Sequence, residues 1–392
     1  MYEDLTKKVI NPDHKTFLSK QEIEAAINTV LKQINLNIKF FDNLYPAPAT
    51  SQGIYRKISN TEWTNGFWTG ILWLAFQYTQ DPKYKRIAEK NIDSFEKRIS
   101  QKIAVNHHDL GFLYTTSVVS DFKITGSENA RQIALKAADC LVSRFQPNGG
   151  FIQAWGDLND NNEYRLIIDS LMNIPLLYWA EQVTRNSKYG KIADQHYQNV
   201  INTVIRDNGS TYHTYYFDKQ NGRPLKGMTK QGYSDDSSWA RGQAWAVYGI
   251  PLHYKYRHKQ EDFKLFRGVT NYFLNRLPKD FIPYWDLIFN DGDNQPKDSS
   301  SGAIAICGIA EMLKHLPESF SNKYEYVLLL HKMLRSLIDN YANNDLKPGA
   351  PLLNHGVYSW HSGKGVDEGN IWGDYFYFEA LMRFYEDWKV FW

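Results

Sequence analysis

Apolar and polar positions along the chain predict twelve helices of two alternating kinds. One kind has a charged face, as in YKRIAEKNIDSFEKRIS at 84–100, and such a helix buries a single stripe. The other kind is poor in charge, as in WTNGFWTGILWLAFQY at 63–78, and is expected to be buried around most of its surface. The predicted helices span 21–44, 63–79, 84–100, 111–122, 130–145, 169–184, 189–205, 239–256, 263–277, 301–316, 323–342 and 372–387.

Alternation of buried and half-buried helices indicates two concentric layers. We predict an all-α fold, an (α/α)6 barrel in which six inner helices are surrounded by six outer ones, with residues 1–392 forming a single catalytic domain. An irregular helical bundle and an α-solenoid are the alternatives. One connection, 208–234, departs from the pattern because YHTYYF alternates and NG turn signals are present. We therefore expect a small β excursion there.

The composition excludes several classes of partner. The chain has 392 residues with 45 Lys+Arg and 43 Asp+Glu, so no broad nucleic-acid surface is indicated. It contains neither an 18-residue apolar run nor an apolar leader at the N-terminus, so we expect no membrane partner and a cytoplasmic location. Cys140 and Cys307 lie in apolar helical segments without zinc or redox spacing, and we expect two free thiols.

The aromatic content is high, with 12 Trp, 26 Tyr and 21 Phe. Packing of a large core accounts for most of these residues, although flat rings also stack on sugars, which weakly favours a carbohydrate cleft. Because consecutive helices of the barrel run antiparallel, every inner helix begins at the same end. Polar and aromatic residues at these starts should therefore meet at one mouth; they include Trp63, Asn65, His107, His108, Asp109, Asp169, Asn173, Gln231, Arg241, Trp245, Asp298 and Trp372.

Two carboxylates at this mouth suggest acid–base chemistry. Asp109 and Asp169 are about one helical hairpin apart, so they should lie on neighbouring inner helices, and a carboxylate pair is the usual equipment for glycoside cleavage. Asp169 lies within LIIDSLMNI, and these apolar neighbours are expected to raise its pKa and keep it protonated, as a general acid requires. The alternative is that both aspartates cap helices.

Other motifs add less. HHD lacks a third and fourth ligand at a recognisable spacing, so we expect neither a metal nor a cofactor. GxSxG, Walker A and GxGxxG motifs are absent from the sequence. Arg241 is a lone cation in the charge-poor segment SSWARGQAW. It either binds an anionic substrate or pairs with Asp235 or Asp236.

Three motifs, HHDLGF, LIIDSLMN and SDDSSWARGQAW, resemble in order and spacing the unsaturated glucuronyl hydrolases of glycoside hydrolase family 88. The resemblance extends from about Trp63 to Trp372. It implies a cytoplasmic (α/α)6-barrel enzyme that acts on the oligosaccharides left by polysaccharide lyases. Those substrates carry a C4=C5 double bond in the non-reducing uronate.

The resemblance also implies a role for each matching residue. Asp169 is expected to be the general acid and base, and Asp109 the second aspartate that holds substrate and stabilises charge. YSWHSGK resembles the Ser-x-x-Ser-x-Lys signature of the streptococcal-type enzymes, in which Ser359, Ser362 and Lys364 would meet a sulfate group; the alternative is a flexible polar loop tip. The other expected substrate contacts are Trp63, His108, His213, Gly227, Thr229, Gln231, Arg241 and Trp245.

The expected function is release of 4,5-unsaturated uronic acid from the non-reducing end of glycosaminoglycan oligosaccharides. Sulfated chondroitin disaccharides are favoured as the small-molecule substrate, and hyaluronan disaccharide is an additional candidate. Three alternatives stay open: an unsaturated rhamnogalacturonyl hydrolase, a sugar epimerase or isomerase that uses His108 and His213, and a non-catalytic oligosaccharide-binding protein. The sequence does not specify an oligomeric state.

Overall fold

Twelve helices surround a common centre in the computed structural model, which describes residues 1–9, 12 and 15–392. One of the twelve is continuous from α4 through a π-helical turn, Thr115–Val119, into α5. The α-helical segments are α1 Lys20–Phe41, α2 Asn65–Thr79, α3 Pro82–Ser100, α4 Leu110–Tyr114, α5 Ser120–Thr125, α6 Glu128–Val142, α7 Pro175–Thr184, α8 Ser187–Thr203, α9 Ala240–Arg257, α10 Glu261–Asn275, α11 Ser299–Leu313, α12 Lys323–Ser336 and α13 Ile371–Tyr385.

Six of these helices form a closed inner ring. Going around it, α2 contacts α4, α4 contacts α7, α7 contacts α9, α9 contacts α11, α11 contacts α13, and α13 returns to α2. The outer helices α1, α3, α6, α8, α10 and α12 each pack on members of this ring. The predicted (α/α)6 barrel is confirmed.

The two layers follow from the two sequence patterns. Outer helix α3 begins at the N-cap Asp81 and Pro82, and it buries the stripe Tyr84, Ala88, Ile92, Phe95 and Ile99. Most of its charged residues lie outside this stripe, whereas Arg98 is buried. Inner helix α9 is buried continuously from Ala240 to Tyr254. Small residues let inner helices approach closely: a Cβ on Gly308 would lie 2.5 Å from the Tyr248 Cα atom of α9.

Short strands decorate the connections. They are β1 Tyr45–Ser51, β2 Ile54–Ile58, β3 Phe145–Gln146, β4 Phe151–Ile152, β5 Arg165–Ile167, β6 Thr214–Phe217, β7 Pro224–Met228, β8 Gly356–Ser359 and β9 Lys364–Glu368. The β excursion predicted near 208–234 is confirmed as β6 and β7, which join β5 in an antiparallel sheet of order β5-β6-β7. The hairpins β1–β2 and β8–β9 were not predicted from the sequence.

One predicted helix boundary is wrong in a place that matters. The helix expected over 169–184 begins at Pro175, and Asp169 instead lies in a 3-10 turn, Ile168–Met172. This turn follows β5 directly. The backbone N–H of Ile168 donates to the His213 carbonyl at 3.0 Å, so the hydrogen bonding of the sheet extends one residue past the end of β5. Pro175 then starts α7 at the position where a missing N–H costs nothing.

No helix among the described residues is long and apolar enough to cross a membrane. Cys140 and Cys307 are both free thiols, as expected.

The end of the inner ring opposite the helix starts is closed by Trp392. This residue is fully buried, its ring stacks on Phe376 with centroids 5.9 Å apart, and its edge meets Phe112 at 6.2 Å. Its Nε1 donates to Glu379 Oε2 at 3.0 Å. Its backbone oxygen accepts from the Nζ of Lys255, in the last turn of α9, at 2.6 Å. Through its ring and its backbone oxygen, Trp392 thus joins inner helices α4, α9 and α13.

Replacing Trp392 with alanine should lower the free energy of unfolding by about 3–5 kcal/mol, because it leaves a cavity among inner helices and an unpaired Glu379 oxygen. Denaturant-induced unfolding measures this change. Tyr324→Ala is the control, since Tyr324 is 61% exposed, and it should change stability by no more than about 0.5 kcal/mol. Equal effects of the two substitutions would contradict the packing role of Trp392.

Candidate active site

A histidine between two carboxylates forms the centre of the mouth. Asp109 directly precedes α4, and Asp169 lies in the turn before α7. The Nε2 atom of His108 lies 3.3 Å from Asp109 Oδ1 and 3.2 Å from Asp169 Oδ1. His108 and Asp109 are buried, whereas the Asp169 side chain is 17% exposed. Asp169 is therefore the member of the trio that a ligand can reach.

Asn173 holds the two helix starts together. Its Nδ2 donates to Asp109 Oδ1 at 3.4 Å and to the Asp169 carbonyl at 3.2 Å, while its Oδ1 accepts from the backbone N–H of Phe112 at 2.9 Å. Gly111 makes this approach feasible, because a Cβ at that position would lie 2.4 Å from the Asn173 Cα atom. The predicted convergence of Asp109 and Asp169 thus rests on the close approach of the Gly111 and Asn173 backbones.

Helix capping does not occupy either carboxylate. Asp109 stands at the N-cap position of α4, but its side chain makes no capping hydrogen bond. The Asn173 amide caps that helix instead, through the N–H of Phe112. The N-cap of α7 is Ile174 rather than Asp169. The interpretation of both aspartates as caps is therefore wrong, and both carboxylates are left for other contacts.

The Asp169 carboxyl lies beside His108 at a partly exposed position, with its Oδ1 atom 3.2 Å from His108 Nε2. The flanking apolar residues of the run LIIDSLMNI are buried; they include Leu166, Ile167, Ile168, Leu171 and Met172. This run anchors the backbone on both sides of the carboxyl.

The histidines of the mouth differ in charge. Burial alone would lower the pKa of His108, but Asp109 and Asp169 raise it to about 9, so this imidazole is a cation at neutral pH. Burial lowers the pKa of His107 to about 4 against the influence of Asp109. The neutral His107 ring accepts at Nδ1 from the Asp109 N–H, and it stacks on Trp155 at 4.5 Å.

His213 is held as a neutral donor. Burial, helped by Arg241, lowers its pKa to about 3. Its Nδ1 accepts from the backbone N–H groups of Lys230 and Gln231, at 2.8 and 3.3 Å. The ring proton consequently resides on Nε2. Because its carbonyl also binds Ile168 N–H, His213 couples the Gln231 loop to the Asp169 turn.

Arg241 is fully buried and tethers three loops. Its NH1 group donates to Asp298 Oδ2 at 3.2 Å and to the Val357 carbonyl, and its NH2 group donates to Gln231 Oε1 at 2.8 Å and to the Tyr358 carbonyl at 2.7 Å. The alternative of pairing with Asp235 or Asp236 is therefore wrong about the partner. Both terminal nitrogens already have protein acceptors, so Arg241 positions Gln231 and β8.

Aromatic rings line the mouth. Trp63 stacks on Trp372 with centroids 5.4 Å apart, and its Nε1 donates to the Tyr358 hydroxyl at 3.0 Å. Trp245 is buried behind Phe112, at 5.1 Å, and Phe112 in turn contacts Trp63 at 5.5 Å. Trp63 therefore belongs to the surface of the mouth, and Trp245 belongs to its supporting wall.

Ser359, Ser362 and Lys364 lie at the tip of the β8–β9 hairpin. Ser359 pairs with Lys364, and the Ser362 hydroxyl donates to the Ser359 carbonyl at 3.3 Å. The Lys364 ammonium lies 4.3 Å from the ring centroid of Tyr358, the residue bonded to Trp63. The hairpin thus places one cation and two hydroxyls beside the aromatic lining.

Two expected contact residues lie farther out. Gly227 packs in β7 against the ring of Tyr212, and the Thr229 hydroxyl accepts from the Gly232 N–H at 2.7 Å. These contacts shape the sheet and its loop, and the structure does not bring either residue to the carboxylates.

Sequence reasoning missed Trp155 and Trp239. Trp155 covers His107, and Trp239 lies between His213, at 4.6 Å, and the Arg241 guanidinium, at 4.4 Å. Trp155 lies in a loop without periodicity, so no local signal marks it. Trp239 directly precedes α9 and could have been found from its position at an inner-helix start.

A metal ion is the other group that the trio could accept. His108, Asp109 and Asp169 each offer one ligand atom, all within 4.8 Å of one another. The contacts of His108 are equally those of a proton held between carboxylates, so the absence of a metal requirement stays a prediction.

Charge on His108 should make stability depend on pH. The raised pKa means that its contribution is fully present below about pH 6.5, the ordinary histidine value, and is lost as pH rises through about 9. The difference in unfolding free energy between the wild type and His108→Asn should therefore shrink between these pH values. In an Asp109→Asn background, this window should move to lower pH. A difference that grows with pH would contradict a cationic His108.

Comparison with known proteins agrees with this geometry. The unsaturated chondroitin disaccharide hydrolase of Streptococcus pneumoniae is 58% identical over 375 residues, 96% of this chain and 95% of that protein. The crystal structure of unsaturated glucuronyl hydrolase from Streptococcus agalactiae matches with a TM-score of 0.95 at 55% identity, covering 100% of both chains. A mutant of that hydrolase complexed with dGlcA-GalNAc6S matches with a TM-score of 0.88 at 52% identity, again over 100% of both chains.

A family model described as Glycosyl Hydrolase Family 88 matches residues 47–346. This span contains both carboxylates, His108, the β5-β6-β7 sheet and Arg241. The chain therefore belongs to glycosyl hydrolase family 88.

Proposed function

We propose that this protein hydrolyses unsaturated glycosaminoglycan disaccharides and removes the 4,5-unsaturated uronic acid residue from their non-reducing end, with sulfated chondroitin disaccharides favoured. The observation that carries the proposal is the buried His108 imidazole, whose Nε2 atom lies between Asp109 and the partly exposed Asp169. The names of the streptococcal relatives, at 58% identity, support the substrate class.

The first step is protonation of the double bond. The unsaturated uronate is a vinyl ether, so C4 is nucleophilic and accepts a proton from the Asp169 carboxyl, while positive charge develops at C5 and the ring oxygen. His108 Nε2, 3.2 Å from Asp169 Oδ1, supplies the proton that Asp169 passes on. Asp109, whose Oδ1 lies 3.3 Å from His108 Nε2, is buried close by and stabilises the developing positive charge.

The second step is addition of water at C5. The Asp169 carboxylate removes a proton from the water, and the new C5–O bond gives a hemiketal. Opening of the hemiketal breaks the C5–ring oxygen bond and leaves a hemiacetal at C1. That hemiacetal then expels the reducing-side sugar, so one water molecule is consumed for each glycosidic bond cleaved. One carboxyl acts as acid and then as base.

The β8–β9 hairpin favours a sulfated substrate. Two hydroxyl donors and an ammonium suit a tetrahedral anion, and Ser359, Ser362 and Lys364 share one hairpin tip. The same observation argues against a pectin-derived substrate. An epimerase that uses His108 and His213 as an acid–base pair is disfavoured. His213 Nδ1 accepts from two backbone N–H groups, which leaves Nε2 protonated, so the neutral ring has no free nitrogen to act as a base.

A reducing compartment suits the two free thiols, Cys140 and Cys307. We therefore also propose a cytoplasmic location.

Asp169→Asn should lower kcat by about 10²–10⁴-fold, because the amide cannot transfer the proton to C4. Loss of the conjugated-enoate ultraviolet absorbance of an unsaturated chondroitin disaccharide follows turnover, and titration calorimetry should show binding retained. The control is Asp345→Asn, on an exposed carboxylate paired with Lys347. Near-normal turnover by the variant would show that Asp169 is not the general acid. Absence of turnover by the wild type would contradict the proposed function.

Lys364→Ala should lower kcat/KM for a sulfated unsaturated disaccharide by about ten- to a hundredfold and leave the non-sulfated disaccharide almost unchanged. The reason is loss of one charge-assisted contact. Parallel assays of non-sulfated, 4-sulfated and 6-sulfated disaccharides measure the preference. Lys347→Ala, on another exposed lysine, is the matched control. An equal loss of kcat/KM on all three substrates would show that Lys364 does not bind the sulfate group.

A further inference from the structure

Asp298 is a buried carboxylate that the proposed reaction does not use. It directly precedes inner helix α11, yet its side chain makes no capping hydrogen bond to that helix. Its backbone is held without the carboxylate, because the Asp298 N–H donates to the Pro283 carbonyl at 2.9 Å and the Asp298 carbonyl accepts from the Ser301 hydroxyl at 2.7 Å. The side chain is fully buried. Its two oxygens therefore depend on contacts with other elements of the mouth.

One oxygen of Asp298 fixes the guanidinium of Arg241. Oδ2 accepts from Arg241 NH1 at 3.2 Å. The guanidinium also lies against two rings, since its central carbon is 4.4 Å from the ring centroid of Trp239 and 4.8 Å from that of Trp372. A buried cation that loses its carboxylate partner is strongly destabilised. Asp298 therefore determines where the guanidinium lies, and with it the side chain of Gln231, whose Oε1 accepts from Arg241 NH2 at 2.8 Å.

The other oxygen of Asp298 is connected to the aromatic lining. The Ser300 hydroxyl donates to Asp298 Oδ1 at 2.5 Å, and the same hydroxyl oxygen accepts from Trp372 Nε1 at 3.0 Å. A hydroxyl has a single proton, so donation to Asp298 leaves its lone pairs for the indole N–H. The carboxylate thus orients Ser300, Ser300 orients Trp372, and Trp372 stacks on Trp63 with 25° between the ring planes.

The two sets of contacts end at two expected substrate contacts, Gln231 and Trp63, and include none of the groups that transfer protons. The backbone of Gln231 is held separately, because its N–H donates to His213 Nδ1. Loss of the contact between Arg241 and the Gln231 amide should consequently displace this side chain and leave the Asp169 turn in place. Substrate binding and proton transfer therefore depend on different contacts.

We propose that Asp298 is a positioning residue for substrate binding, which holds Gln231 and Trp63 in place through its two carboxylate oxygens. A single buried group then fixes both contacts before the substrate arrives, so little ordering entropy is lost on binding. This inference rests on the proposed function, which assigns Gln231 and Trp63 to the substrate.

Asp298→Asn tests both sets of contacts at once. The amide places an NH2 group against either Arg241 or the Ser300 hydroxyl, which are both donors, so one contact must open. KM for an unsaturated chondroitin disaccharide should rise about tenfold, whereas kcat should stay within about threefold and keep its pH dependence. The matched control is Asp262→Asn, on an equally buried aspartate of outer helix α10 that accepts from the Tyr197 hydroxyl at 2.7 Å. It should leave KM unchanged.

Ser300→Ala tests the aromatic contacts alone and keeps the pair of Asp298 with Arg241. This substitution should raise KM about threefold in the wild type and have no further effect in a Trp63→Ala background, because Ser300 acts through that ring. Multiplication of the two effects would overturn the connection to Trp63. This cycle also decides the question if Asp298→Asn does not fold.

Titration calorimetry in the Asp169→Asn background measures disaccharide binding without turnover. Weaker binding in the Asp298→Asn, Asp169→Asn double variant supports the positioning role. Equal binding with and without the Asp298 substitution would overturn this role and leave the proposed function intact. Absence of hydrolysis by the wild type, combined with weaker binding in the double variant, would overturn the proposed function and leave the positioning role intact. A fall in kcat at unchanged KM would mean that Asp298 only supports the fold.

Discussion

The contact between Gly111 and Asn173 is the constraint on which the site depends. It brings the start of α4 against the turn that precedes α7, closer than any side chain at residue 111 would allow. The Asn173 amide then caps α4 in place of Asp109. A carboxylate that would otherwise satisfy backbone donors is thereby left to face His108. The buried imidazole lies next to both carboxylates, and their influence raises its pKa to about 9 against the effect of burial, so it carries a proton at neutral pH.

A second layer of contacts turns this local arrangement into a mouth. His213 is hydrogen-bonded to both the Asp169 turn and the Gln231 loop, and so fixes their relative position. Arg241 is hydrogen-bonded to both Gln231 and β8, and so fixes that loop against the hairpin. The substrate-facing elements are therefore connected by hydrogen bonds to one another as well as to the barrel.

The barrel could be predicted because the spacing of apolar residues within each helix shows how much of its surface is buried. Inner helices such as α2 and α9 are apolar around most of their circumference, and outer helices such as α3 carry a single stripe. The mouth could be predicted as a meeting point for the same reason. What could not be predicted depends on distant partners: the Asn173 cap joins residues 61 apart, and Arg241 reaches a carbonyl 117 residues away. Neither leaves a periodic pattern, and the 3-10 turn at Asp169 depends on strand pairing with β6.

Closure of the inner ring by Trp392 has a consequence for how a polysaccharide fragment is used. The fully buried Trp392 indole fills the inner ring, and Phe112 lies between this indole and the aromatic lining of the mouth. A chain cannot thread through it, so only a terminus can reach the carboxylates. Sugar released at the bottom must leave by the route along which the remainder of the chain entered. Each encounter therefore removes one terminal uronate, and the shortened chain, whose new end lacks the C4=C5 double bond, must withdraw before another substrate enters.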